Sequence, residues 1–208
     1  MSSIVVSGDS SGAITLAAPS VAGTNTITMP ATTGNMVTDN ATQTLTNKTI
    51  GSGYGGGAVI SGTAQATTSG TAVGFTGIPS WVKRITVMFF GVSTTGTANY
   101  QIQIGSGSYT TSGYSSGASN GSALVNSTTA FLLSSAVSAA QTYSGHVVLT
   151  LVSGNNWVQS GTLGSTGANY TNVSGGSVTI SGALDRVQLT TANGTDTFDA
   201  GSINIQYE

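Results

Sequence analysis

No stretch of this sequence carries the three-to-four spacing of an amphipathic helix; its apolar residues come in short runs with a period of two. Such a period puts alternate side chains on opposite faces of an extended chain, which is the pattern of a half-buried strand. The run from Trp81 to Phe90 is the strongest example, with Ile85, Val87 and Phe89 on one face. Turn residues separate the runs. Ser153-Gly154-Asn155-Asn156 stands between His146–Val152 and Trp157–Gln159 and predicts a hairpin, and Asn193-Gly194 predicts a turn before Ser202–Tyr207. Further strands are expected at Asn99–Ile104, Ala130–Leu133, Ser177–Ile180 and Arg186–Thr190. The fold class is therefore all-β, and strands of this length with polar turns predict an antiparallel β-sandwich or jelly roll over residues 58–208.

Residues 1–57 read differently. The apolar pulses there are brief: Ile4-Val5-Val6, Ile14-Thr15-Leu16, Ile27-Thr28-Met29, Met36-Val37 and Leu45 to Ile50. Gly8–Gly12, Pro19–Gly23, Pro30 and Thr33-Gly34-Asn35 interrupt them. The units Ala13–Leu16 and Thr26–Met29, each ending near a proline, form a degenerate repeat. Strands this short have too little core of their own and bury their faces best on copies of themselves. A β-prism-like shaft of three intertwined chains is the expected solution, so the chain is expected to be a homotrimer. Gly51–Gly57 then forms a glycine-rich joint. It contains a G-x-G pattern, but no Gly-Lys-Ser/Thr and no helical pattern follow, so it reads as a linker or tight turn rather than a phosphate loop.

Charge narrows the function classes. Only 5% of the 208 residues are Asp, Glu, Lys or Arg, against ~25% in an ordinary soluble domain. Gly, Ser, Thr, Asn and Ala occupy the vacated positions. Catalysis usually draws on many ionisable groups, so the composition predicts a structural or binding protein rather than an enzyme, with no cofactor. Nucleic acid is excluded as an expected partner because Lys48, Lys83, Arg84 and Arg186 are the only cations for phosphates. There is no cysteine, hence no disulfide or thiolate metal site. No apolar run approaches the ~18 residues of a membrane span. Met1–Val6 lacks the basic and long apolar regions of a secretory leader, which is consistent with assembly in a host cytoplasm and release by lysis.

Several segments resemble structural proteins of tailed bacteriophages. Ser11–Gly34 (SGAITLAAPSVAGTNTITMPATTG) is similar to a module common in those proteins, and Thr44–Ile50 is similar to the TLTNKTI motif that follows it in many tail fibres. Phe75–Phe89 (FTGIPSWVKRITVMF) and Asp196–Glu208 (DTFDAGSINIQYE) resemble a phage fibre head. The resemblance implies a trimeric virion fibre, attached to the particle through its N-terminal part and recognising a host surface, glycan or protein, through its head. It also accounts for the low charge. A capsid head fibre or decoration protein with an accessory adhesive or stabilising role is the alternative.

Few residues stand out as carriers of chemistry. His146, the one histidine, opens a predicted strand; without a nucleophile-elbow motif it reads as structural or exposed, or as one third of a three-histidine ion site on a trimer axis. Asp196 and Asp199 lie in a turn-rich segment, where Asp usually closes turns, with a calcium site as the functional alternative. Asp185 beside Arg186 reads as a turn or a local ion pair. A depolymerase needs two carboxyls flanking the scissile bond, and the scarcity of carboxylates argues against one. Aromatics are the better binding feature. Tyr109, Tyr114, Tyr143 and Tyr170 are expected in Gly/Ser/Asn-rich loops, and Trp81 and Trp157 each follow a turn. Trp81, two residues after Pro79, reads as core. Tyr109, Tyr114 and Trp157 form the candidate receptor surface, although Trp157, like Trp81, reads first as core, and the stretch Ser108–Asn120 is the expected centre of that surface. The Asn-x-Ser/Thr sequons at Asn126 and Asn193 are what a chain this rich in Asn, Ser and Thr produces by chance.

Overall fold

The computed structural model describes residues 3–7, 13–17, 59–167 and 170–208, and these divide between two compact units, Met1–Lys48 and Thr49–Glu208. In the first unit, β1 (Ser3–Ser7) and β2 (Ala13–Ala17) pair antiparallel, with Val5 opposite Thr15. Both strands coincide with apolar pulses of the sequence. The expected pulses at 27–29, 36–37 and 45–50, and the glycine joint at 51–57, lie outside the described residues.

The second unit contains no helix among its described residues. Its larger sheet has nine strands, all antiparallel. Across it run β10 (Leu124–Ser127), β9 (Ser115–Ser119), β14 (Thr171–Thr179), β13 (Asn156–Thr166), β12 (Thr142–Ser153), β6 (Arg84–Thr94) and β16 (Phe198–Tyr207), the last flanked by the short β3 (Ile60–Ser61) and β4 (Gln65–Ala66). The smaller sheet runs β11 (Phe131–Leu132), β7 (Tyr100–Ser106), β15 (Arg186–Thr191) and β5 (Ala72–Thr76), with β8 (Ser108–Tyr109) folded back on β7. Neither sheet closes into a barrel.

Alternation decides the faces. Ile85, Val87 and Phe89 of β6 point inward beside Val147 and Leu149 of β12 and Ile203 and Ile205 of β16. From the smaller sheet, Ile102, Ile104, Val187 and Leu189 join the same buried cluster. One core between two antiparallel sheets is consistent with a β-sandwich. The predicted hairpin at Ser153–Asn156 is present, with Gly154 at φ 54°. The Asn193-Gly194 turn is also present, but it carries the chain from β15 in one sheet to β16 in the other.

The opposite face of the nine-stranded sheet points to solvent. Cross-strand partners share a face, so Val173, Thr162, His146, Met88 and Asn204 form one continuous row on it. Gly91, Gly145 and Gly201, on the neighbouring strands β6, β12 and β16, all have positive φ. The ladders shift register beside them, the mark of β-bulges.

Candidate functional site

The structure moves most of the expected receptor surface into the interior. Tyr114 is only 3% exposed. Its ring meets Phe131 edge-on at 4.9 Å, and its hydroxyl accepts a hydrogen bond from the Ile104 N–H at 3.1 Å. Burial pushes the phenol up to about 12. Trp157, 2% exposed, points from β13 into the core between Leu151 and Val178. Neither residue is available to a receptor; that expectation is corrected for both, and Trp157 takes the core role that is its first reading. Alternation along β13 turns Trp157 inward, and Tyr114 is carried in because Ser115–Ser119, expected to lie in a loop, is a strand. It pairs with β14 through its backbone, and the Ser116 hydroxyl accepts the Leu132 N–H at 2.9 Å.

Tyr109 is half-buried and already engaged. It lies across the outer face of the smaller sheet with its hydroxyl 2.6 Å from where a side chain at Gly74 would begin. The Arg186 guanidinium sits 5.7 Å from its ring centre, an arrangement that favours the cation over the ring face. Desolvation raises the Tyr109 phenol above its ordinary value. Asp185 holds Arg186 through Oδ1 at 2.7 Å and accepts the Gly107 N–H, so the expected local ion pair is present. Tyr143 and Tyr170 are structural too: both hydroxyls donate to the Ala136 carbonyl and reach Gln141 Oε1, fastening the segment that leads into β12.

His146 is exposed in the middle of the large sheet, opposite Met88 and Thr162. Asp196 closes a loop: Asn193 Nδ2 donates to it at 2.7 Å and the Ala98 N–H at 2.9 Å, which together hold its carboxyl below the usual range. Asp199 is exposed on β16. Among the described residues, no three His, Cys, Asp or Glu side chains are grouped to hold a metal.

A different set of residues converges at one end of the large sheet. The Val82 N–H donates to the Pro79 carbonyl at 3.1 Å, closing a turn that lifts Trp81 out of the core. Trp81 is 38% exposed and lies beside Tyr207, ring centres 6.0 Å apart at 53°. The expectation that Trp81 is core is thus also corrected, because β6 begins three residues later, at Arg84. Tyr207 stands between two shallow depressions. One, of about 240 Å³, is lined by Val59, Arg84, Thr86, Gln206, Tyr207 and Glu208. The other, of about 260 Å³, runs along Gln65, Phe75, Ile78 and Ile205. Arg84 and Glu208 pair at 3.1 Å across the first while both stay substantially exposed. Three backbone hydrogen bonds between Glu208 and Lys83 or Arg84 fix their spacing.

No family model matches this chain, and neither does any curated protein or solved structure.

At this corner Tyr207, the Arg84 guanidinium, the Glu208 carboxylate and the Gln206 amide line an open depression, and the Trp81 ring stands tilted against Tyr207 beside it. Those groups suit a neutral polyhydroxylated ligand, whose C–H face packs on an aromatic ring while its hydroxyls meet charged hydrogen-bonding groups. One sequence signal pointed here: Pro79-Ser80-Trp81 places a tryptophan on a turn directly before Lys83-Arg84, the one adjacent pair of cations in the chain.

Proposed function

We propose that the chain is a virion fibre of a tailed bacteriophage, trimeric through its N-terminal part, with a β-sandwich head that recognises a host surface glycan at the Trp81–Tyr207 corner. The observation that carries the recognition step is the exposure of Trp81 against Tyr207 beside the Arg84–Glu208 pair. It is the aromatic pair with an exposed tryptophan in an otherwise weakly charged head. The virion assignment is supported by the phage-like segments in both units, Ser11–Gly34 with Thr44–Ile50 and Phe75–Phe89 with Asp196–Glu208.

The N-terminal ribbon favours partnership. Successive strand residues face opposite ways, and Ile4 and Val5 are 67% and 56% exposed, so each face of the ribbon carries a bare apolar side chain. An isolated two-stranded hairpin is marginal in water, and burial on other copies removes that weakness. Three heads on one fibre then raise avidity without a tight single site.

Binding of the full chain to host cells and to their purified surface polysaccharide tests the reading. Trp81→Ala should lower cell binding at least tenfold while leaving the unfolding midpoint within a few degrees of wild type. Unchanged binding by Trp81→Ala and Arg84→Ala would remove the corner as the recognition site.

A further inference from the structure

The solvent-facing side of the nine-stranded sheet carries a second feature, far from the aromatic corner. Phe90 is 78% exposed, the largest exposure among the described large apolar side chains. It stands where Gly91, Gly145 and Gly201 turn three adjacent strands through positive φ. Gly201 approaches the Gly91 carbonyl so closely that a side chain there would collide with it. Alternation along β6 puts Phe90 on the outer face, next to the bulges, while the strand's other large apolar residues are buried or half-buried. Val173, in the Met88 row, and Val158, in the Arg84 row, are also exposed on this face, on β14 and β13.

The rest of that face is mostly Ser, Thr, Asn and Gly, with Met88, Val148, Gln206 and the exposed Leu124 among them. In its central rows the one ionisable side chain is His146; Arg84 lies at one end, already paired with Glu208, and Asp199 lies beyond the bulges at the other. Charge matters because identical surfaces bring like charges together. A face with no excess of either sign can dock on its own copy without that repulsion. Size also fits. Seven strands from β10 to β16 at ~4.8 Å spacing, each contributing about six residues at ~3.4 Å, give a face on the order of 700 Å², close to the ~800 Å² each partner buries in a stable complex.

We infer that this face, with Phe90 as its anchor, is covered by another copy of the same chain. The inference rests on the fibre reading in one respect: chains joined in a shaft present their heads to one another at an effective concentration of order mM, which makes a second copy the nearest occupant. A buried aromatic in the centre of such a contact is the usual source of its energy. The contact is head to head.

Absence of native cysteine makes a single introduced thiol an unambiguous probe. Thr162→Cys lies in the central row of the face; Ala72→Cys lies on the exposed edge strand of the other sheet and serves as control. The full chain carrying each is treated with a flexible bis-maleimide at low micromolar concentration, and the solution mass is measured by light scattering. The expected result is a multimer in which Thr162→Cys cross-links between copies at least tenfold more than Ala72→Cys, with the excess lost on adding Phe90→Asp. Circular dichroism unchanged by Phe90→Asp shows that the sheet survives the substitution. A multimer whose two cysteines cross-link equally overturns the head contact and leaves the fibre reading standing. A monomer that does not cross-link overturns both and favours the capsid-decoration alternative. Protection of the Thr162→Cys thiol by host polysaccharide, in a monomer, overturns the inference by assigning the face to a glycan.

Discussion

Replacing Tyr114 by phenylalanine separates a structural tyrosine from a receptor-binding one. The substitution keeps the ring against Phe131 and removes one oxygen, the acceptor of the Ile104 N–H at 3.1 Å. Ile104 is fully buried, so its N–H loses that acceptor away from water, at a cost of about 1–3 kcal/mol. For a unit of this size each kcal/mol lowers the midpoint by about 2–4 °C, so a loss near ~2 kcal/mol corresponds to roughly 4–8 °C. Tyr114→Ala removes the ring as well and should cost about 3–5 kcal/mol. Urea and thermal unfolding of the full chain measure both, and host-cell binding is measured in parallel at a temperature where each variant is folded. The expected pattern is graded destabilisation with binding per folded molecule unchanged. Wild-type stability in Tyr114→Phe together with lost binding would refute the burial argument and return Tyr114 to the receptor surface.

Further outcomes follow from the same structure. Gly201→Ala forces a side chain at φ 90° against the Gly91 carbonyl; it should destabilise by at least about 2 kcal/mol, seen as a lower urea midpoint. At alkaline pH, burial holds Tyr100 and Tyr114 up to about 12, with Tyr143 raised as well, against about 10 in an unfolded chain. Because the folded-state values are raised, this stabilisation is complete below about pH 10 and is lost as pH climbs through the folded values. Unfolding by base should therefore coincide with the rise in tyrosinate absorbance. In acid the sign reverses. Asp196 is held low by Asn193 first and the Ala98 N–H second, so its contribution is present above about pH 4 and lost below it. Asn193→Ala should be less stable than wild type at neutral pH, with the gap closing in acid unfolding titrations.

Fold class was legible because it depends on period alone. The alternation of Ile85, Val87 and Phe89, and of Ile203 and Ile205, specifies a strand and which residues share a face, whatever lies across from them. The hairpin at Ser153–Asn156 was legible for a related reason, since glycine can take the positive φ that a tight turn requires. The strand Ser115–Ser119 was not legible. Its five residues, Ser-Ser-Gly-Ala-Ser, contain no large apolar side chain, and it is a strand because β14 and β10 supply backbone partners on both sides. That pairing, rather than any local preference, carries Tyr114 into the core.

The site divides along the same line. Asp185 with Arg186 was readable because the partners are neighbours in the chain. The Trp81–Tyr207 corner and the Arg84–Glu208 pair were not, because each joins residues more than a hundred positions apart. Local composition pointed the wrong way for Trp81: the tryptophan beside the strongest apolar run is exposed, while Trp157, whose first reading is core, is buried. What the sequence determined by itself was periodicity, turn positions and the near absence of charge, all properties of short windows. Which aromatic faces water and which sheet face is left uncovered were decided by tertiary structure, because burial depends on which distant strand lies opposite.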